Sequence, residues 1–232
     1  MRVLRLMDIY TRRARLAPAL LVSLPLAAAV TACFPSGILG WGSLWGLVVW
    51  SGGTLLLAQI GRDLGKRKER LLFEQWGGRP TALMLRHSSA VNSVVLNRIH
   101  GKLAALTGVA APTAEQEAAD PARADAVYDA WTTFLREKTR NHEEFALVFD
   151  EVCSYGFRRN LWGLKPVGVV LALSGLAAAL VMVARGARGS ALGAALISGL
   201  LLVCWFVWFT PDWVRMTANA YAERLLGASE KL

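Results

Sequence analysis

The chain has 232 residues, 54% of them hydrophobic and 19% charged, with a mean hydropathy of +0.38. A soluble domain of this length is nearer a quarter charged, so composition points to a membrane protein. The net charge of +9 and pI near 10.0 would suggest nucleic acid in a soluble chain. Beside long uncharged blocks the same charge reads as positive-inside bias and contact with anionic lipid, and no direct nucleic-acid binding is expected.

Residues 1–16 form a basic tail with Arg2, Arg5, Arg12, Arg13 and Arg15 against one Asp8. The tail reads either as a topogenic flank or as a short amphipathic surface helix. An uncharged segment over 17–34 then has the length of a bilayer crossing, with Pro18 expected in its first turn and Pro25 in its interior. A basic start, an apolar run and Val30-Thr31-Ala32-Cys33 also fit a lipoprotein signal ending at Cys33. The second apolar segment, 38–60, follows after Pro35-Ser36-Gly37, and a helical hairpin accounts for more of the sequence. Trp41 and Trp45 lie near its outer end, and Gly42 and Gly46 have the GxxxG spacing that lets helices approach closely.

After Gly61 the helix is expected to continue through Arg62, Lys66, Arg67, Lys68 and Arg70, a strong cytosolic flank. Gly77-Gly78 is its stop and Pro80 prevents immediate resumption. The Gly-Gly-Arg-Pro-Thr loop lacks the frame of a phosphate-binding P-loop, and a helix–helix corner anchored by Trp76 is the simpler reading. Val91, Val94, Val95, Ile99, Leu103 and Leu106 recur at helical spacing over 90–106. Thr113-Ala114-Glu115-Gln116 is a weak start signal with Thr113 as cap. Pro121 opens a clearer helix to about residue 140, its face carrying Ala124, Val127, Tyr128, Trp131, Phe134 and Leu135. Phe145, Val148, Phe149 and Val152 trace one more stripe over 141–160.

Lys165-Pro166 opens a third span over 167–184, and a fourth follows over 190–209, with Gly189 and Gly193 again at GxxxG spacing. Pro211-Asp212 begins a final amphipathic helix, expected either on the membrane or against the insert. Of the 26 Lys and Arg, Arg185 and Arg188 alone fall in the two outer turns, which predicts residues 1–16 and 210–232 inside the cell. The expected fold is therefore an all-α membrane protein: four transmembrane helices as two hairpins (17–60 and 166–209) flanking a cytosolic helical insert (61–165).

The four spans have no ionisable residue in their interiors, which counts against a proton-coupled pump or transporter. The three cysteines and three histidines form no local ligand set, so no metal and no cofactor is expected. In the insert, Arg86, His87, Arg140, Arg158 and Arg159 are the candidate ligand-binding residues, suited to a small anionic ligand such as a phosphate or nucleotide. Pairing with Glu144, Asp150 and Glu151, or contact with lipid headgroups at Arg158 and Arg159, accounts for them equally well. His87 has no identifiable orienting partner, and Ser88 and Ser89 lie outside a nucleophile-elbow frame, so no catalytic residue is assigned.

The phrases Trp76-Gly77-Gly78-Arg79-Pro80-Thr81, Leu85-Arg86-His87, Thr139-Arg140, Leu147-Val148-Phe149 and the run Tyr155-Gly156-Phe157-Arg158-Arg159-Asn160-Leu161-Trp162-Gly163 have a resemblance. Over 69–165 the chain resembles a family of bacterial multi-span membrane proteins of uncharacterised function. The resemblance implies membership and no reaction. Ala82 and Val152 depart from the Thr and Asn usual in that family, which weakens any role for those two positions.

The expected function is that of a non-enzymatic bacterial inner-membrane protein. Its cytosolic domain senses or binds something and is coupled to a membrane part that oligomerises, as in pore-type effectors of stress or defence. One alternative is a membrane-anchored nucleotide- or phosphate-binding regulator or enzyme that uses the arginines. The other is a scaffold that holds a cytosolic protein partner at the bilayer.

Overall fold

The computed structural model describes residues 9–33, 41–187 and 189–232. Every regular element among them is helical. In chain order they are α1 (Ile9–Cys33), α2 (Trp41–Trp76), α3 (Pro80–Leu85), α4 (Ser93–Thr107) and α5 (Ala114–Ala119). Then come α6 (Pro121–Lys138), α7 (Ala146–Gly163), α8 (Lys165–Ala184), α9 (Gly189–Val207) and α10 (Pro211–Gly227), with a 3-10 turn at Ala228–Lys231. Among the described residues three helices are long and apolar enough to cross a membrane: α1, α8 and α9. The turn expected at 35–37, the residues before Ile9, Arg188, and the surroundings of Trp41, Gly42 and Trp45 lie outside what is described.

The chain divides into two units. The first holds Met1–Glu69 and Gly156–Val214, and the second Arg70–Tyr155 and Arg215–Leu232. Residues 215–232 thus belong with the insert, because Leu225, Leu226 and Ala228 join its core. Of the two placements open for the C-terminal helix, its residues from Tyr221 on take the one against the insert.

In the first unit α1, α8 and α9 pack mutually. Their facing residues are small: Ala19, Ala29 and Ala32 on α1, Ala172 and Ala179 on α8, and Ala191, Ala194 and Ser198 on α9 are all buried. Many of the large aliphatic residues point outward, with Leu20, Val170, Leu173, Leu192 and Leu200 exposed and Leu196 reaching 74% exposure, while Val22 and Leu201 are buried. Small side chains let backbones approach, as at Gly175, where an added Cβ would lie 2.8 Å from the Pro25 carbonyl oxygen. Trp205 and Val22 fill the wider end with Leu161, Leu164 and Phe209.

α1 starts earlier than the sequence suggests. It is already helical at Ile9, so Pro18 sits in its interior and not in its first turn. Proline has no N–H, and the carbonyl of Ala14 four residues before it loses its α-helical donor. The backbone widens there into a π-turn, Arg12–Leu16, in which the Ala17 N–H reaches the Arg12 carbonyl. The Ala14 carbonyl is taken instead by the side chain of Asn160, 2.7 Å away on α7.

α2 is continuous for 36 residues, passing from an uncharged first half into the charged flank. Thr54, Ala58, Gly61 and Gly65 form its buried stripe in the first unit. The close glycine contact falls at Gly65 and Gly163: a Cβ on Gly163 would lie 2.6 Å from the Gly65 nitrogen. The GxxxG pair that approaches a neighbour is therefore Gly61–Gly65. Gly46, Gly189 and Gly193, singled out by spacing, have open space around them.

The second unit is a small helical bundle. Gly77, at φ +81°, ends α2 in the left-handed conformation, with the Gly78 N–H bonded to the Phe73 carbonyl at 2.8 Å. α4 is capped by Asn92, whose side chain accepts from the Val94 N–H, and it ends at left-handed Gly108. α5 has a full capping box between Thr113 and Gln116. Asp120 then caps α6, with Pro121 in its first turn. The core is Leu85, Leu103, Tyr128, Trp131, Leu135 and Phe145, closed by the C-terminal residues.

Candidate functional site

Arg86 follows α3 directly, and Pro80 and the Gly77-Gly78 turn fix where that short helix points. Its guanidinium meets the Asp125 carboxylate on α6 as a fork, Nε to Oδ1 at 2.9 Å and Nη2 to Oδ2 at 2.5 Å. The pair is part-buried, and the hydrogen bonds to Asp125 raise the Arg86 pKa against the opposing effect of burial. One turn along α6, Asp129 holds Arg79 at 3.0 Å. Between these pairs and the end of α2 lies an open groove of about 670 Å³, bordered by Arg70, Glu74, Arg79, Asp125 and Asp129. Both signs of charge line it, so it offers no single-sign field to an ion.

His87 turns into the bundle. Its Nε2 lies 2.9 Å from the Pro112 carbonyl, and its backbone N–H donates to Glu117 at 3.2 Å. Glu117 also accepts the Tyr128 hydroxyl at 2.6 Å. His100 on α4 is buried, donates from Nε2 to the Leu85 carbonyl at 2.8 Å, and meets the His87 ring edge-on at 5.2 Å. Those carbonyl partners fix the Nε2–H tautomer of both rings. Burial is the main cause that lowers the His100 pKa; it also raises that of Tyr128, with Glu117 adding to the second shift. Trp131 stands against His100 at 5.4 Å. The cluster clamps α3, α4, α5 and α6 together through polar groups inside an aromatic core.

Arg158 and Arg159 belong to the first unit. Arg158 donates to the Trp213 carbonyl at 2.8 Å, its guanidinium 4.6 Å from that ring. Arg159 is buried, paired with Glu69 on α2 at 2.9 Å, and donates through Nε and Nη2 to Asn160 Oδ1 at 3.2 Å. Asn160 passes the chain of contacts on to Ala14, so one polar relay ties α2, α7 and α1. Arg140 is exposed and bonds Glu137, three residues earlier, at 2.7 Å.

The five candidate residues therefore do not converge on one point within either unit. Arg86 and His87 are neighbours in the second unit, Arg158 and Arg159 in the first, and Arg140 stands by itself on the end of α6. Their acidic and carbonyl partners, Asp125, Glu117, Glu69 and Asn160, escaped the sequence reading. Asp125 and Asp129 have a visible signal, the four-residue spacing that sets two carboxylates on one helix edge. For Glu69 and Asn160 no local pattern exists, because each is defined by a helix distant in sequence. Among the described residues no group of three or more His, Cys, Asp or Glu is placed to hold a metal. The three cysteines are free thiols.

No family profile, curated protein or solved structure matches this chain.

Proposed function

We propose that this is a multi-span membrane protein of the bacterial inner membrane whose second unit is a cytosolic, non-catalytic sensing or interaction domain. The observation that carries the reading is the inverted packing of the first unit. Ala19, Ala29, Ala172, Ala179, Ala191, Ala194 and Ser198 face inward while most of the exposed positions of α1, α8 and α9 carry leucine or valine, as in helices surrounded by lipid. A water-soluble bundle would bury the leucines. The uncharged first half of α2 is the fourth span in this proposal, pairing with α1 as α8 pairs with α9. The excess of Lys and Arg outside the two outer turns supports a cytosolic insert and cytosolic residues 210–232.

The action we propose for the membrane part is that of an oligomeric pore-type effector governed by the second unit. It is supported by spans free of ionisable residues and by glycines at 46, 189 and 193 that face open space within one chain. A single arginine-built ligand site has less support, since Arg86, Arg140 and Arg159 are each held by a carboxylate. The experiment is induced expression in bacteria while recording membrane potential, beside a protein whose two hairpins are replaced by unrelated spans. Depolarisation by the native form alone supports the pore. Equal behaviour of the two forms removes it and leaves a scaffold.

A further inference from the structure

Lys68 and Lys165 form a cationic pair that the mechanism above does not use. Lys68, on the charged half of α2, reaches back to the Trp162 carbonyl at 3.4 Å, its ammonium 4.7 Å from that indole centroid. Lys165, the first residue of α8, donates to the Phe209 carbonyl at 3.3 Å and lies 5.8 Å from the Phe206 ring. Each ammonium has three N–H donors and a single carbonyl acceptor here. Lys165 follows Trp162 by three residues, one turn across the short break between α7 and α8, so the residue that carries the Lys68 ammonium also adjoins Lys165. Burial first, and then Lys165, lower the Lys68 pKa, and among the described residues neither lysine forms an ion pair with a carboxylate. Like charges brought together and half-buried without a counter-ion cost energy that an anion would recover.

The surroundings say which anion. Lys165 opens a helix able to cross a membrane, and the Trp162 and Phe206 rings stand beside Lys68 and Lys165, the composition of a bilayer interface. We propose that Lys68 and Lys165, floored by Trp162, hold the phosphodiester of an anionic membrane lipid. The phosphate oxygens accept from both ammoniums and the acyl chains run along the exposed aliphatic faces of α8 and α9. The inference rests on the membrane reading given above.

The test uses the full chain purified in detergent. An alkaline carbonate wash of membranes comes first: release of the protein into solution would overturn the membrane reading itself, and the lipid site with it. With the protein in micelles, native mass spectrometry counts retained dioleoylphosphatidylglycerol against dioleoylphosphatidylcholine. The wild type retains the glycerol lipid, and K68Q/K165Q weakens it roughly thirtyfold, with K68R/K165R and the control K102Q near wild type. Equal retention by K68Q/K165Q overturns the site, and complete displacement by millimolar inorganic phosphate overturns the lipid as its source. Should K68Q/K165Q not fold, a photoreactive phosphatidylglycerol on the wild type decides. Labelling of the peptides around Trp162 and Lys68 supports the site, and labelling only elsewhere overturns it.

Discussion

Asn160 donates its side-chain amide to the carbonyl of Ala14, 2.7 Å away and 146 residues earlier in the chain. The carbonyl is available because Pro18 has no N–H to give it. Asn160→Ala leaves that buried acceptor unpaired and deprives Arg159 of a partner, and should lower the unfolding free energy by about 2 kcal/mol. With Pro18→Ala restoring a helical donor, the same substitution should cost visibly less. Thermal unfolding of the four proteins in dodecyl maltoside measures the coupling. Equal losses in both backgrounds would refute the link between Pro18 and Asn160.

Gly163 and Gly65 allow α7 and α2 to touch backbone to backbone. A side chain at 163 has no flexible neighbour to push aside, since the nearest atoms are main chain. Gly163→Leu should therefore destabilise the first unit by about 3 kcal/mol or more, whereas Gly193→Leu, in open space, should leave the monomer within about 0.5 kcal/mol. Denaturation in mixed micelles, followed by tryptophan emission, separates the two. A monomer insensitive at 163 would contradict the observed approach.

The Arg86–Asp125 fork is part-buried, with side-chain exposures of 25% and 33%. A double-mutant cycle with Arg86→Ala and Asp125→Ala should return a coupling of about 1–2 kcal/mol, between exposed and buried pairs. The Arg140–Glu137 pair, exposed at 74% and 56%, should return about 0.3 kcal/mol. Urea unfolding at low and high salt reads both, and the Arg140 pair alone should vanish with salt.

His100 makes the second unit sensitive to acid. Buried against Tyr128 and Trp131, near His87 and Glu117, it has a pKa below the ordinary 6.5, and burial lowers that of His142 as well. The unfolded chain then binds more protons than the folded one once pH falls through about 6.5, so folding stability is full above that value. Stability is lost from there down to the folded-state pKa, below which the loss levels off. Chemical unfolding at pH 7.5 and 5.5 should show this decline, and it should be shallower in His100→Gln. An identical slope in the variant would exclude His100 as its source.

Much of the helical order was legible in residue patterns. The stop at Gly77-Gly78, the cap at Thr113, the first-turn Pro121, and the apolar stripe through Tyr128, Trp131 and Leu135 all depend on neighbours within one or two turns. Local chemistry of that kind is written in spacing. The start of α1 is not legible, because Pro18 after a basic tail has the pattern of a first helical turn. At Pro18 a π-turn and a side chain from α7, Asn160, accommodate the proline inside that helix.

The candidate site was legible in its cations and illegible in its partners. The sequence by itself determined the apolar blocks, the basic flanks and the helical character of the insert, since these follow from composition and period. Tertiary structure alone decided that Arg86 meets Asp125, that Arg159 meets Glu69, and that Lys68 lies on Trp162, one turn before Lys165. Contacts between helices distant in sequence depend on which faces pack together. One spacing rule matched Gly46, Gly189 and Gly193 as readily as Gly61 and Gly65, and only packing singled out the last two.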